Sequence, residues 1–152
     1  MVEPFVQDYR ARWSDMDWNQ HMRNAAFLGC AEETRMRYLD AHGWTMAEFE
    51  RRKLGPVVVE DRIAYRRELR LLERFRVDLW LAGSAPDART MKVRNRILRS
   101  DDGELCATVE SVVLWLDLAA RRRVAPPPDL RDLWLALPRT EDFATLESRE
   151  RG

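Results

Sequence analysis

Residues 13–24 read Trp13-Ser14-Asp15-Met16-Asp17-Trp18-Asn19-Gln20-His21-Met22-Arg23-Asn24, and the rest of the chain takes its order from them. Upstream, Phe5, Gln7, Tyr9, Ala11 and Trp13 share a face at period two, which predicts a strand over 5–13. Downstream there is no proline until Pro56. Phe27, Ala31, Thr34, Tyr38 and Ala41 fall on one side at helical spacing beside Leu28 and Leu39, predicting a helix over 24–42. Glu32, Glu33, Arg35, Arg37 and Asp40 are assigned to its other side. Two acids, two asparagines, a glutamine and a histidine therefore gather where strand turns into helix. Backbone N–H groups at a helix start are free and carry partial positive charge. They can hold a developing oxyanion while Asp17 and His21 handle water and protons. Asn24 is also placed to cap the helix, but a cap needs one such residue and not a cluster. Asp15, Asp17 and His21 could ligate a divalent ion, yet no second His/Cys group completes a site and His42 lies at the far end of the helix, so no metal is expected.

Gly43 is suited to end the helix. Thr45 reads as the N-cap of a short helix over 46–53, with Glu48 completing a capping box. Gly55-Pro56 then reads as a break. From Val57 the chain reads as sheet. A strand runs through Ile63 and Tyr65. Phe75, Val77, Leu79 and Leu81 alternate inward, with Arg74, Arg76, Asp78 and Trp80 outward. Residues 83–87 form a turn, and Met91, Val93, Asn95 and Ile97 alternate again. Asp101-Asp102-Gly103 signals a hairpin, returning over 104–116. The run 112–116 is apolar on both faces, which predicts cover on both sides, by a neighbouring subunit or by a later helix. A charged turn follows over 117–123, then a stiff Pro126-Pro127-Pro128 and a short helix capped by Asp129 and ending at Leu137. The tail 139–152 reads as polar and loosely held or locally helical. A long helix on an antiparallel sheet, an α+β class, follows from this order, with one domain over 1–138.

Composition narrows the function. A chain of 152 residues buries a core of useful size. Its 26 basic residues, all arginine except Lys53 and Lys92, balance 26 acids, so nothing global favours nucleic acid or an anionic membrane. No stretch approaches the roughly 20 apolar residues of a membrane span. MVEPFVQDYR lacks the apolar core of a signal peptide. Cys30 and Cys106 do not make a disulfide framework. They read as small reduced core residues, and the expected location is cytoplasmic.

The pattern D-x-D-x-N-x-H-x-x-N before a helix resembles the hot-dog thioesterases, which include the 4-hydroxybenzoyl-CoA and acyl-carrier-protein thioesterase groups. Asp17, Asn19, Gln20, His21 and Asn24 match the second group's Asp-x-Asn-Gln-His-x-x-Asn. Some relatives carry Gly before the histidine and Tyr in the helix, where this chain has Gln20 and Phe27. Tyr65-Arg66-Arg67-Glu68 resembles the carrier-protein enzymes' Tyr-Arg-Arg-Glu-Cys, with Leu69 in the cysteine's place, which removes a cysteine nucleophile.

The resemblance implies an antiparallel sheet wrapped around the long helix, pairing into a homodimer or homotetramer with the site at the interface. It implies hydrolysis of an acyl-CoA or acyl-carrier-protein thioester with no metal or redox cofactor. Asp17 would activate water or attack directly, His21 and Asn19 would position the thioester or move protons, and Glu68 would be a second acid–base group. Trp18, in the motif loop, and Asn24 are candidate substrate contacts. Arg66, Arg67, Arg121, Arg122 and Arg123 are candidates for the phosphates of coenzyme A, because guanidinium suits phosphate. Two other readings stand beside this one. A hot-dog hydratase would show Asp-x-Asn-Pro-x-His, from which Asp17-Trp18-Asn19-Gln20-His21 departs. A non-catalytic acyl-binding protein would hold Asp17 in a salt bridge with no pocket beside it.

Overall fold

The inward alternation of Phe75, Val77, Leu79 and Leu81 and of Met91, Val93 and Ile97 builds the middle of a sheet, and every one of these side chains is buried. The computed structural model describes residues 2–148. In chain order it holds β1 (Phe5–Arg10), α1 (Asn24–Ala41), α2 (Met46–Arg52), β2 (Leu54–Tyr65), β3 (Arg74–Ser84), β4 (Thr90–Arg99), β5 (Leu105–Asp117), β6 (Arg122–Val124), α3 (Pro128–Leu135) and β7 (Arg139–Thr145). The main sheet has the order β1-β3-β4-β5-β2, all antiparallel, with β6 added to β5 and β7 parallel to β3. α1 buries one face against this sheet, the α+β arrangement expected. One apolar cluster joins Tyr38 and Leu39 to Leu81, Val93 and Trp115 and is closed by Leu130 and Trp134 of α3. A second joins Phe27 and Ala31 to Phe75, Ile97 and Val109.

A polar seam lies between the two. Arg35, expected on the solvent side of α1, is only 6% exposed. Its Nε donates to Asn95 Oδ1 at 2.8 Å, and Asn95 Nδ2 donates to Asp78 O at 2.9 Å. Asp78, expected outward, is buried too, and its carboxylate accepts from Arg96 N at 2.8 Å and Arg96 Nε at 2.7 Å. Trp80 is half-buried under the Arg96 guanidinium. The β3–β4 pairing runs from Val77↔Ile97 to Trp80↔Arg94, and these side chains bond across the positions between. Burial pushes the Arg35 guanidinium down to about 10, with Asp61 and Glu32 holding it up. Periodicity cannot foresee this seam, because it reads an arginine or aspartate as surface.

Other expectations change at element ends. β1 stops at Arg10, and Trp13 is exposed in a 3-10 turn over Trp13–Asp15. Asn24 is the first residue of α1 and does not cap it; Arg23 holds the cap position, with no side-chain bond. Thr45 does accept from Glu48 N at 3.2 Å, but the Glu48 carboxylate turns to Arg51 and Arg52 in place of closing the box. Lys53, at φ 54°, ends α2, and Gly55-Pro56 lie inside β2, where an edge strand tolerates proline. β3 runs on through Gly83, where a side chain's first carbon would sit 2.9 Å from Ala144 O. Glycine there admits β7, so residues 139–145 are a strand and not a loose or helical tail. Residues 149–152 of that tail lie outside the described residues. Asp129 pairs with Arg52 at 2.7 Å; Pro127 takes the cap position of α3, which ends at Leu135. The turn expected over 117–123 contributes β6. Val112, Val113, Leu114 and Trp115 are all buried within one chain, so this run does not itself require a second subunit.

The segment before α1 is clamped. Arg12 N, Nε and NH2 donate to the Asp15 carboxylate at 3.0–3.2 Å, and Arg23 N donates to Asp15 O at 2.8 Å. Burial opposes the Asp15 charge, but the bonds from Arg12 outweigh it and hold the carboxyl below its ordinary value of 3.8. Met22 N donates to Leu69 O at 2.7 Å and Leu72 N to Ala11 O at 2.8 Å.

Two outcomes are expected. Asn95→Ala strips the buried guanidinium of its acceptor and costs about 1.5–3 kcal/mol in urea unfolding. Arg35→Met costs less, since methionine brings no unpartnered donors while Arg35 NH1 and NH2 are buried without partners. Equal costs would show that the Arg35–Asn95 bond is not what that site depends on. A lowered folded pKa contributes stability that is present above the unfolded value and lost as pH falls through the folded one. The stability gap between wild type and Asp15→Asn therefore narrows on acidification below the ordinary 3.8. A gap independent of pH counts against the Asp15 charge.

Candidate functional site

Asp17 builds its own loop. Its Oδ1 accepts from Asn19 N at 2.8 Å and from His21 N at 3.1 Å, while Asp17 N donates to His21 O at 2.8 Å. Such side-chain-to-backbone bonds are the usual way an aspartate tightens a turn. Gln20 takes a left-handed φ of 64°, a conformation that glycine adopts without steric cost. These bonds engage Oδ1 alone, and among the described residues Asp17 forms no ion pair.

The loop meets Tyr65-Arg66-Arg67-Glu68 because Met22 is bonded to Leu69 and His21 bridges Arg70. Asp17, His21 and Asn24 face Arg66, Arg67 and Glu68 across a cleft of about 270 Å³, with Met22, Phe27 and Tyr65 in its wall. Arg66 N and Arg67 N both donate to Cys106 O, which bends the chain out of β2 into this wall. Tyr65 Oη donates to Asn24 O at 3.3 Å, and its ring meets Phe27 edge-on at 5.5 Å. The absence of a side-chain cap on α1 leaves its first-turn N–H groups unclaimed by any side chain on this side of the helix. Glu68 is held below the usual carboxylate range, first by its own backbone N–H against the effect of burial, then by the charges of His21, Arg70 and Arg99. It is an anion at neutral pH and so an acceptor.

Six of the expected site residues thus come together: Asp17, His21, Asn24, Arg66, Arg67 and Glu68. Trp18, at 97% exposed, and Asn19 stay in the loop outside the cleft. Arg121 and Arg122 lie at the opposite end of β2, where Asp117 pairs with both Arg122 and Leu54. Tyr65, the first residue of the Tyr65-Arg66-Arg67-Glu68 match but not one of the candidate site residues, joins them in the cleft wall. Burial pushes the Cys30 thiol up to about 11 and raises that of Cys106, so neither is a thiolate. Among the described residues no three His, Cys, Asp or Glu side chains are grouped to hold a metal, and no helix is long and apolar enough to cross a membrane.

A model of the thioesterase-like superfamily matches residues 11–133. None of the curated proteins matches the chain. Among solved structures, SAV2348 from Staphylococcus aureus, in complex with CoA, is 21% identical with a TM-score of 0.79, covering 97% of this chain and 90% of that one. Slr0204, a 1,4-dihydroxy-2-naphthoyl-CoA thioesterase from Synechocystis, is 14% identical at 0.79, covering 88% and 96%. YbaW, a probable thioesterase from Escherichia coli, is 22% identical at 0.73, covering 88% and 98%. With this fold, and with a family match over most of its length, the chain belongs to the thioesterase-like superfamily and has the hot-dog arrangement of helix and sheet.

Proposed function

We propose that this protein hydrolyses acyl thioesters of coenzyme A. The observation that carries the reading is the meeting of Asp17, His21 and Glu68 in one cleft beside the uncapped start of α1. The complex of SAV2348 with CoA supports coenzyme A over a carrier protein. Water attacks the thioester carbonyl, and Asp17 takes its proton. First-turn N–H groups of α1 hold the oxyanion. The intermediate then collapses: the C–S bond breaks, the acid leaves, and the thiolate takes a proton relayed by His21. Glu68, already ionised, faces His21 across the cleft. Arg66 and Arg67 at the cleft wall take the phosphates of the carrier. Asp17, lining a cleft and unpaired, fits catalysis better than a purely acyl-binding role.

The working form is a dimer. β2 pairs with β5 alone, and among the described residues no strand covers its other edge. Along that edge strand Val57, Val58 and Val59 are 37–42% exposed. An unpaired edge with such an apolar stretch invites strand addition, and a second copy pairing antiparallel about a twofold axis closes it.

Asp17→Asn keeps an oxygen to accept from Asn19 and His21, so the loop survives while the base is lost. Hydrolysis should fall by about 10²–10⁴ with an unchanged fold; wild-type turnover by this variant would sink the mechanism. Glu68→Gln, assayed beside it in single turnovers, should be the milder lesion, and the reverse order would reassign the base. Sedimentation equilibrium at micromolar concentration should give a species of twice the 18.0 kDa chain mass. A clean monomer ends the dimer.

A further inference from the structure

Three tight turns meet beside Asp17, and each carries large apolar side chains at its outermost positions. The first is closed by Asp15 N donating to Arg12 O at 2.9 Å, and Trp13 stands on it 80% exposed. The second is closed by Gln20 N donating to Asp17 O at 3.1 Å, and Trp18 stands on it almost wholly exposed. The third is closed by Glu73 N donating to Arg70 O at 3.1 Å, with Leu71 and Leu72 at its centre, 40% and 58% exposed. Backbone pairing holds the three together. Leu72 N donates to Ala11 O and Ala11 N to Glu73 O, Met16 bridges Met22, and His21 bridges Arg70.

Turn centres favour Gly, Asn, Asp, Pro and Ser, each of which suits the bent backbone. Leu72 departs furthest from that rule. Its φ of 66° is left-handed, a region where a bulky side chain is an outlier and Asn or Gly is not. The chain thus holds a leucine in water at a position that its backbone also disfavours. None of the four side chains belongs to either apolar cluster of the core. Contact with something outside the chain gives them a use.

The charge around the turns narrows what that something is. Residues 10–24 and 65–74 carry seven arginines against four acids, in a chain whose net charge is zero. All seven arginines are exposed, whereas Asp15 is buried against Arg12 and Glu73 is bonded to Arg99. The neutral total conceals this local excess. Shape narrows it further. Indoles this exposed do not pack on each other, so they are separate points and not one flat patch. Separate points enter a fluid layer without needing matched pockets. Tryptophan prefers the boundary between hydrocarbon and headgroups, and basic side chains beside it are drawn to anionic lipid.

We propose that these turns dock the protein on an anionic lipid surface. Trp13, Trp18, Leu71 and Leu72 seat in the headgroup boundary, and the arginines around them lie against the lipid phosphates. The cleft opens between the second turn, which holds Asp17, and the segment of Glu68 that leads into the third. On the thioesterase reading, docking brings the cleft beside the layer in which acyl chains partition. The docking itself does not rest on that reading.

The test is flotation of the whole chain with vesicles of equimolar phosphatidylglycerol and phosphatidylcholine. Wild type should float with them. The double variant Trp13→Ser with Trp18→Ser should lower the partition coefficient about tenfold or more, since binding follows the apolar area buried. Leu72→Asn should lower it severalfold while thermal unfolding stays unchanged or rises, because Asn suits the left-handed backbone. Added salt, or vesicles of pure phosphatidylcholine, should weaken the binding of wild type. Wild type that stays with the lipid-free fraction overturns the docking. Flotation that the Trp and Leu variants leave untouched overturns its assignment to these turns. Equal binding to pure phosphatidylcholine overturns the part given to the arginines. Sedimentation without lipid tests the rival occupant, a second copy: if loss of both indoles dissociates a wild-type oligomer, the turns are a contact between copies and the docking is overturned. Hydrolysis is read separately. Wild type that floats but cleaves no acyl-CoA upholds the docking and ends the hydrolase reading, and wild type that cleaves but does not float does the reverse.

Discussion

One backbone hydrogen bond, from Met22 N–H to Leu69 C=O at 2.7 Å, joins the two segments on which the proposed chemistry depends. Without it the Asp17 loop and the Glu68 wall are separate pieces of surface. Its neighbours reinforce it: Leu72 N to Ala11 O, the His21–Arg70 bridge, and the two bonds that bend residues 66 and 67 onto Cys106 O. Main-chain bonds suit this task because they do not depend on which side chains face the substrate. Asp15 and Arg12 brace the same segment from the other side, so the first aspartate of the motif is structural while the second lines the cleft.

The seam of Arg35, Asn95 and Asp78 is the second constraint. A buried guanidinium with only Nε bonded is costly, and an apolar residue of the same reach would be cheaper for stability alone. What the seam does is bond β3, β4 and α1 at one level, between two apolar clusters that would otherwise merge. It therefore sets the height of α1 on the sheet. That height decides where the helix begins, and the helix beginning is one wall of the cleft.

β2 connects the site to the rest of the molecule in a different way. Its Tyr65 end reaches the cleft, its Leu54 end forms an apolar groove, and its outer edge is unpaired among the described residues. α2 and α3 are locked together beside that second end by Arg52, which stacks on Trp44 at 4.4 Å and pairs with Asp129 at 2.7 Å.

The sequence by itself determined the elements with strong periodicity. α1, the alternation of β3 and β4, the Asp102-Gly103 turn and the grouping of Asp17 with His21 all follow from local spacing, because a hydrophobic period and a turn residue act within a few positions. The pairing of Tyr65-Arg66-Arg67-Glu68 with that group was legible only through resemblance, since nothing local ties residue 22 to residue 69. Tertiary structure alone decided the rest. It buried Arg35 and Asp78 against their polarity, because partners 60 and 18 residues away bond the Arg35 Nε and the Asp78 carboxylate. It drew residues 139–145 into the sheet, because Gly83 leaves room for a strand that the tail's own polarity does not advertise. And it sent Arg121 and Arg122 to the far end of β2 from the cleft, because register across β5, and not proximity in a list of arginines, places a side chain.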